Sequence, residues 1–167
     1  MLAVVSDSSP IIYLTRLGLL SLLPRLHESV IVPDPVWQEV AIGGQGLPES
    51  ENLQKAVAEG WIQVKATGAP RFAMSAEAAA LGRGELEAIS LAQELGAVLL
   101  TDDSDARQFA LRQGVKVTGT VGMLIRAKAE GHLVSVKPLL TRLRDESNFQ
   151  MSQQLYASAL MESGEQA

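Results

Sequence analysis

The chain has 167 residues, 47% hydrophobic and 20% charged, an ordinary globular composition long enough for one compact domain with a full core. It contains no cysteine and only two histidines, His27 and His132; disulfides, thiolate catalysis and cysteine-ligated zinc are excluded, and any metal would be held mainly by oxygen. The formal net charge of −5 argues against a broad electrostatic nucleic-acid binder but not against a nuclease, because a carboxylate site is negative until cations fill it and local basic strips still hold phosphates.

The first residues, Met1-Leu2-Ala3-Val4-Val5-Ser6-Asp7, lack a basic leader followed by a long apolar stretch. No apolar run approaches the ~20 residues that span a bilayer, so a cytosolic location is the default expectation. Leu2–Val5 reads as a short buried strand, and Asp7-Ser8-Ser9-Pro10 supplies cap residues and a first-turn proline for a helix that stops at Gly18. Leu19–Leu26 reads as a second short helix disturbed by Pro24. Val30–Pro33 is the second strand, Pro35–Val40 the helix after it, and Gly43–Gly46 a loop. Glu51–Glu59 is a helix ended by Gly60, and Trp61–Val64 is a further strand. Thr67–Ser75 forms an excursion with no legible local structure.

The second half alternates more plainly. Gly84–Leu95 has helical periodicity with a glycine stop at Gly96, Ala97–Thr101 is an apolar strand, and Asp102-Asp103-Ser104-Asp105 caps a helix reaching Gln113. Val115–Val117 is a strand, Val121–Glu130 a helix, Leu133–Val136 an edge strand, and helices near Pro138–Asp145 and Gln153–Glu162 follow. Short apolar strands alternating with helices predict an α/β fold with a mainly parallel sheet covered on both faces. In such sheets ligands sit beyond the carboxyl ends of the strands.

That rule selects Asp7, which ends the first strand, and Asp102 with Asp103, which end the strand Ala97–Thr101. Helix capping explains any one of them equally well. Two such rims meeting favour a site. Read in isolation, Glu39 is an exposed helix carboxylate, and Glu85 and Glu87 are acids placed for the dipole of the helix they open. Arg107 lies one turn beyond Asp103 and would meet a phosphate or pair with Asp103. Arg112, Arg126 and Lys128 read as solvated helix charges. Tyr13, Trp37 and Trp61 are more simply packing residues than base-stacking ones.

Five stretches in order carry a resemblance to a known family. They are Val4–Leu14, Val32–Val40 (Val-Pro-Asp-Pro-Val-Trp-Gln-Glu-Val), Gly84–Ala92 (Gly-Glu-Leu-Glu-Ala-Ile-Ser-Leu-Ala), Leu99–Asp103 with Arg107, and Gly119–Gly122. Each is weak alone, but the ordered set resembles PIN-domain proteins, the predicted nucleic-acid-binding branch related to toxin ribonucleases of toxin–antitoxin pairs. The resemblance implies a single PIN-like domain over 1–167: a three-layer sandwich with the C-terminal helices (about 138–162) packed on it. It implies acids at Asp7, Glu39, Glu85 (with Glu87 as substitute) and Asp103, with Asp102 sharing the last duty. Glutamate stands at the third position, where many such nucleases carry aspartate.

Crowded carboxylates repel until a divalent cation enters, and one or two ions would activate water for phosphodiester hydrolysis. The expectation is therefore an endoribonuclease dependent on Mg2+ or Mn2+. Asp7 and Asp103 are its principal ligands, Glu39 and Glu85 hold further ligand positions or metal-bound water, and the hydroxyls of Ser9 and Thr101 support them. Its partners would be single-stranded RNA, a small antitoxin protein and a second copy of the chain, with no membrane. The alternative is a degenerate PIN module that binds nucleic acid or protein without cutting. A phosphoaspartate receiver fits poorly, since the acidic pair comes late, and a dehalogenase-type phosphatase fits poorly, since Ser9 stands where its second aspartate belongs.

Overall fold

Five short segments pair into one all-parallel sheet: β1 (Val4–Ser6), β2 (Val30–Pro33), β3 (Ile62–Lys65), β4 (Val98–Leu100) and β5 (Val117–Thr118), in the order β3-β2-β1-β4-β5. The computed structural model describes residues 1–68, 72 and 75–166. Residues 69–71, 73 and 74 of the expected excursion lie outside the described residues. The helices are α1 (Ser8–Arg16), a 3-10 turn (Leu20–Leu22) leading into α2 (Leu23–Leu26), α3 (Asp34–Trp37) continuing as a π turn (Gln38–Ile42), and α4 (Pro48–Ala58). They continue with α5 (Ala76–Ala79), α6 (Arg83–Leu95), α7 (Ser104–Arg112), α8 (Thr120–Ala129), α9 (Lys137–Glu146) and α10 (Gln153–Glu162). Among the described residues no helix is long and apolar enough to cross a membrane.

The strands are apolar on both faces, and their period-two alternation divides the interior in two. Val5, Ile31 and Leu99 face a core closed by Ile89 and Ala92 of α6 and Ala106 and Phe109 of α7. Val4, Val30, Val32 and Leu100 face the opposite core, which holds Ile11 and Leu14 of α1, Leu53 of α4 and Leu124 of α8. Leu140 and Leu143 of α9 and Tyr156 and Leu160 of α10 enter that same core. The result is an α/β sandwich of helices, sheet and helices.

Chain order matters more than layering for the site. From β1 the chain steps to β2 and β3, then returns to the other side of β1 for β4 and β5. Val5 pairs with Ile31 on one side and Leu99 on the other. The reversal makes β1 and β4 the switch point, where successive connections leave on opposite faces and open a crevice. Here α1 departs to one core and α7 to the other, so both helix N-termini border it.

Two expected elements differ. The helix expected over Pro35–Val40 starts one residue earlier and widens into a π turn, which Gly43 and Gly44 follow closely: a Cβ on Gly44 would lie 2.5 Å from the Val40 carbonyl oxygen. The expected edge strand Leu133–Val136 does not form, and Val134 is 95% exposed. Its last backbone donor, the Val136 N–H, goes to a carboxylate instead of a ladder. Glu165 accepts from the Val136 N–H at 2.6 Å, the Lys137 N–H at 3.1 Å, the Ser135 hydroxyl at 2.7 Å and the Lys128 ammonium at 2.8 Å.

Partial burial alone would raise the Glu165 carboxyl, but Lys128 and the three other donors outweigh it and pull it down to about 2. A depressed carboxyl stabilises the fold fully above its unfolded value near 4.5 and loses that contribution as the pH falls towards 2. Glu165→Gln is expected to cost about 1–3 kcal/mol at neutral pH. Urea melts of both chains at pH 7 and pH 3 should show the difference shrinking at the lower pH.

Candidate active site

Asp7 follows the last residue of β1, and its N–H continues the sheet by donating to the Leu100 carbonyl of β4 at 2.9 Å. The residue is buried, 7% exposed, and its extended backbone (φ −73°, ψ 173°) makes it the N-cap of α1. Oδ1 accepts the Ser8 N–H at 2.7 Å, and Oδ2 accepts the Thr101 hydroxyl at 3.1 Å from the end of β4. Thr101 Oγ1 in turn accepts the Asp103 N–H at 3.3 Å. One hydroxyl thus ties the two strand ends together.

Asp103 is exposed and caps α7, with Oδ1 accepting the Ala106 N–H at 2.8 Å. Capping and clustering are therefore not alternatives for Asp7 and Asp103: each spends one oxygen on a helix N-terminus. Asp102 is held differently. Its Oδ1 accepts the Thr120 N–H at 2.7 Å and its Oδ2 the Thr120 hydroxyl at 2.5 Å, which fastens β4 to the start of α8. Arg107 makes no ion pair with Asp103 among the described residues. It packs on Gly119, where a Cβ would lie 2.9 Å from both Arg107 Nη2 and Asp102 Oδ1.

The glutamates arrive from other elements. Glu39 sits on the π turn after β2, and its Oε2 accepts the Ser8 hydroxyl at 2.7 Å. Glu85 lies in the first turn of α6, where its Oε2 accepts the Gly82 N–H at 2.8 Å, half of a capping box. It lines a pocket with Ser9, Tyr13, Asp102 and Asp103. Glu87 is bonded elsewhere, to the Thr67 hydroxyl at 2.7 Å and Arg83 at 2.9 Å. His27 belongs to the opposite end of the sheet, ahead of β2, buried with Nε2 3.4 Å from the Met123 sulfur.

These acids feel one another. Burial raises the proton affinity of Asp7, the bonds from Ser8 and Thr101 oppose this, and the charges of Glu39 and Asp103 add to the rise. Burial also raises Glu85, with Asp7, Asp103 and Asp105 reinforcing it against the Gly82 N–H. Burial raises Asp102, while Thr120 and Arg107 hold it back. Tyr13 is raised by burial and by Asp102.

The donor set is all oxygen, which fits Mg2+ or Mn2+ rather than zinc or copper. Among the described residues no three acid or histidine side chains stand close enough to enclose an ion. Magnesium itself takes one or two carboxylates, with water completing the octahedron. Asp7 and Asp103 would hold it.

Reading along the chain passed over Ser8 and Thr120 as partners of the candidate acids. Both sit beside residues that the spacing picked out, and a hydroxyl in the first turn of a helix reads as a cap. Only the fold shows that one bonds Glu39 and the other Asp102.

Two consequences are measurable. A Cβ at Gly119 has no room, because Asp102 is pinned by Thr120, so Gly119→Ala should cost about 1–3 kcal/mol in a thermal or urea melt. Asp7 is raised above the ordinary 3.8, so the stability its charge costs is incurred as the pH rises past 3.8 through the folded value. At neutral pH without divalent ions, Asp7→Asn should therefore melt higher than wild type, the difference shrinking as the pH falls to 3.8 and below. Added Mg2+ should raise the melting temperature of wild type and leave the variant unmoved.

Comparison with known proteins agrees with this architecture. A PilT N-terminus domain protein, SSO1118, from the hyperthermophilic archaeon Sulfolobus solfataricus P2 shares the fold with a TM-score of 0.51 and 20% identity, over 76% of this chain and 93% of that one. A domain of a functionally unknown protein from Methanocaldococcus jannaschii aligns with a TM-score of 0.48 and 22% identity, over 71% of this chain and 91% of that one. VapBC2 from Rickettsia felis, solved bound to a DNA fragment from its promoter, aligns with a TM-score of 0.48 and 14% identity, over 70% and 98%. No functionally curated protein matches. The family model for the PIN domain (DUF3368) matches residues 3–165, and PIN domains are generally nucleases that use divalent metals. The chain belongs to the PIN-domain family.

Proposed function

We propose that the chain is a metal-dependent endoribonuclease that hydrolyses phosphodiester bonds at the crevice between β1 and β4. The observation that carries this reading is Asp7: a buried carboxylate at the switch point, its proton affinity raised by burial and by Glu39 and Asp103. Such an arrangement destabilises the empty site and favours a cation. When bound, Mg2+ or Mn2+ would supply charge neutralisation at the phosphate and make the attacking water easier to deprotonate.

The chain's own residues do the rest. Asp7 and Asp103 present carboxylate oxygens from adjacent strand ends, with Thr101 fixing their separation. Glu39, steadied by the Ser8 hydroxyl, and Glu85 stand ready to accept a proton from the attacking water or to hold it in line. Ser9 offers a hydroxyl in the same pocket, and Asp102 holds α8 in place through Thr120. Arg107 supplies positive charge for a substrate phosphate beside the acids. The resemblance extends the proposal to a toxin of a toxin–antitoxin pair, with a small antitoxin as partner and a homodimer as the assembly.

Two observations favour a second reading, a PIN module that binds without cutting: no three acids among the described residues close around an ion, and Glu85 is engaged by Gly82. Cleavage separates the two. Purified chain with Mg2+ or Mn2+ should cut single-stranded RNA, and Asp7→Asn should lower the rate by at least about 100-fold. Equal cutting by the variant assigns the activity elsewhere. Intact RNA together with no divalent binding by calorimetry establishes the non-cutting module.

A further inference from the structure

The acid pocket is crowded with acceptors, and hydrolysis also needs a donor. The oxygen that leaves phosphorus departs as a costly alkoxide unless a proton meets it. The hydroxyls that touch the acids are already committed: Ser8 donates to Glu39, Thr101 to Asp7 and Thr120 to Asp102. Arg107 acts on Asp102 and lies against Gly119. Tyr13 stands apart from these. It is partly buried and lines the pocket with Ser9, Glu85, Asp102 and Asp103. Its hydroxyl feels Asp102 and Arg16 as charges and bonds neither, while its ring is fixed edge-on against Phe149.

Helix geometry separates this donor from one of the acceptors. Tyr13 follows Ser9 by four residues and shares its face of α1, whereas Ser8, the partner of Glu39, lies about 140° round the helix from Tyr13. In-line displacement needs the attacking and leaving oxygens on opposite sides of phosphorus. Phe149 and Gln150 also border a neighbouring groove towards α10, so the Tyr13 flank leads into open space for a departing fragment. We propose that Tyr13 is the general acid of the cleavage, its phenol protonating the leaving oxygen while Glu39 on the other flank takes the proton of the attacking water. This rests on the nuclease reading. The new P–O bond is to the water oxygen, and the broken one leaves an alcohol that carries the phenolic proton. The phenolate then regains a proton from solvent, and Glu39 releases the one it took. Ser9 shares the pocket, but an alcohol is a far weaker acid than a phenol, which still carries its proton at neutral pH.

The experiment compares wild type with Tyr13→Phe, which keeps the ring on Phe149 and removes only the O–H. Two substrates are cut with Mn2+ present: a short single-stranded RNA, and the same RNA with sulfur in place of the leaving bridging oxygen. An alkoxide needs the proton to depart, and a thiolate does not. The ratio of kcat on the oxygen substrate to kcat on the sulfur one should fall roughly 100-fold in the variant. A merely structural role for Tyr13 would slow both substrates together. An unmoved ratio therefore overturns the proposal, as does an unchanged rate on the oxygen substrate. If Tyr13→Phe cuts RNA as fast as wild type does, only the role of Tyr13 falls. If wild type cuts neither substrate, the nuclease reading falls and takes this role with it.

Discussion

The pairing of β1 with β4 is the constraint on which the rest of the molecule depends. These strands are distant in sequence, yet Ser6 lies in register with Leu100 and the Asp7 N–H donates to the Leu100 carbonyl. Because side chains alternate between faces, a slip of one residue would exchange Val4 and Val5 between the two cores. Register and burial therefore enforce one another, and the strand ends arrive at the same level. Thr101 then spans them with its hydroxyl.

Two helices begin at this junction and leave on opposite sides. Their N-termini carry unpaired N–H groups and the positive ends of two helix dipoles, which partly offset the negative charge gathered between them. Asp7 and Asp103 use this directly as caps. The offset is incomplete, as the raised proton affinities of Asp7, Glu85 and Asp102 show. Acids with raised proton affinity gathered in one crevice mark a candidate functional site.

The later helices shape what surrounds the acids. Phe149, between α9 and α10, packs edge-on against Tyr13 of α1 with ring centroids 5.0 Å apart. That contact forms part of the boundary of the acid pocket, while α10 supplies the far wall of the neighbouring groove. Glu165 fastens the segment before α9 by gathering Lys128, Ser135 and two backbone donors. Glu165 thereby takes the Val136 N–H, the last backbone donor of the expected edge strand at Leu133–Val136.

The parallel α/β layout was legible along the chain, because uniformly apolar strands and capped amphipathic helices are local signals. Asp7, Asp102 and Asp103 were legible as strand-end acids for the same reason, whereas Glu39 and Glu85 entered by resemblance alone. Local pattern could not separate Glu85 from Glu87, which lie two positions apart on one helix; the bonds from Thr67 and Arg83 to Glu87, and the pocket facing Glu85, distinguish them. Nor could it show the π turn under Glu39, the engagement of Ser8 and Thr120, or the packing of Arg107 on Gly119. Those depend on which strand lies next to which. That order is set by long-range burial, and no local spacing encodes it.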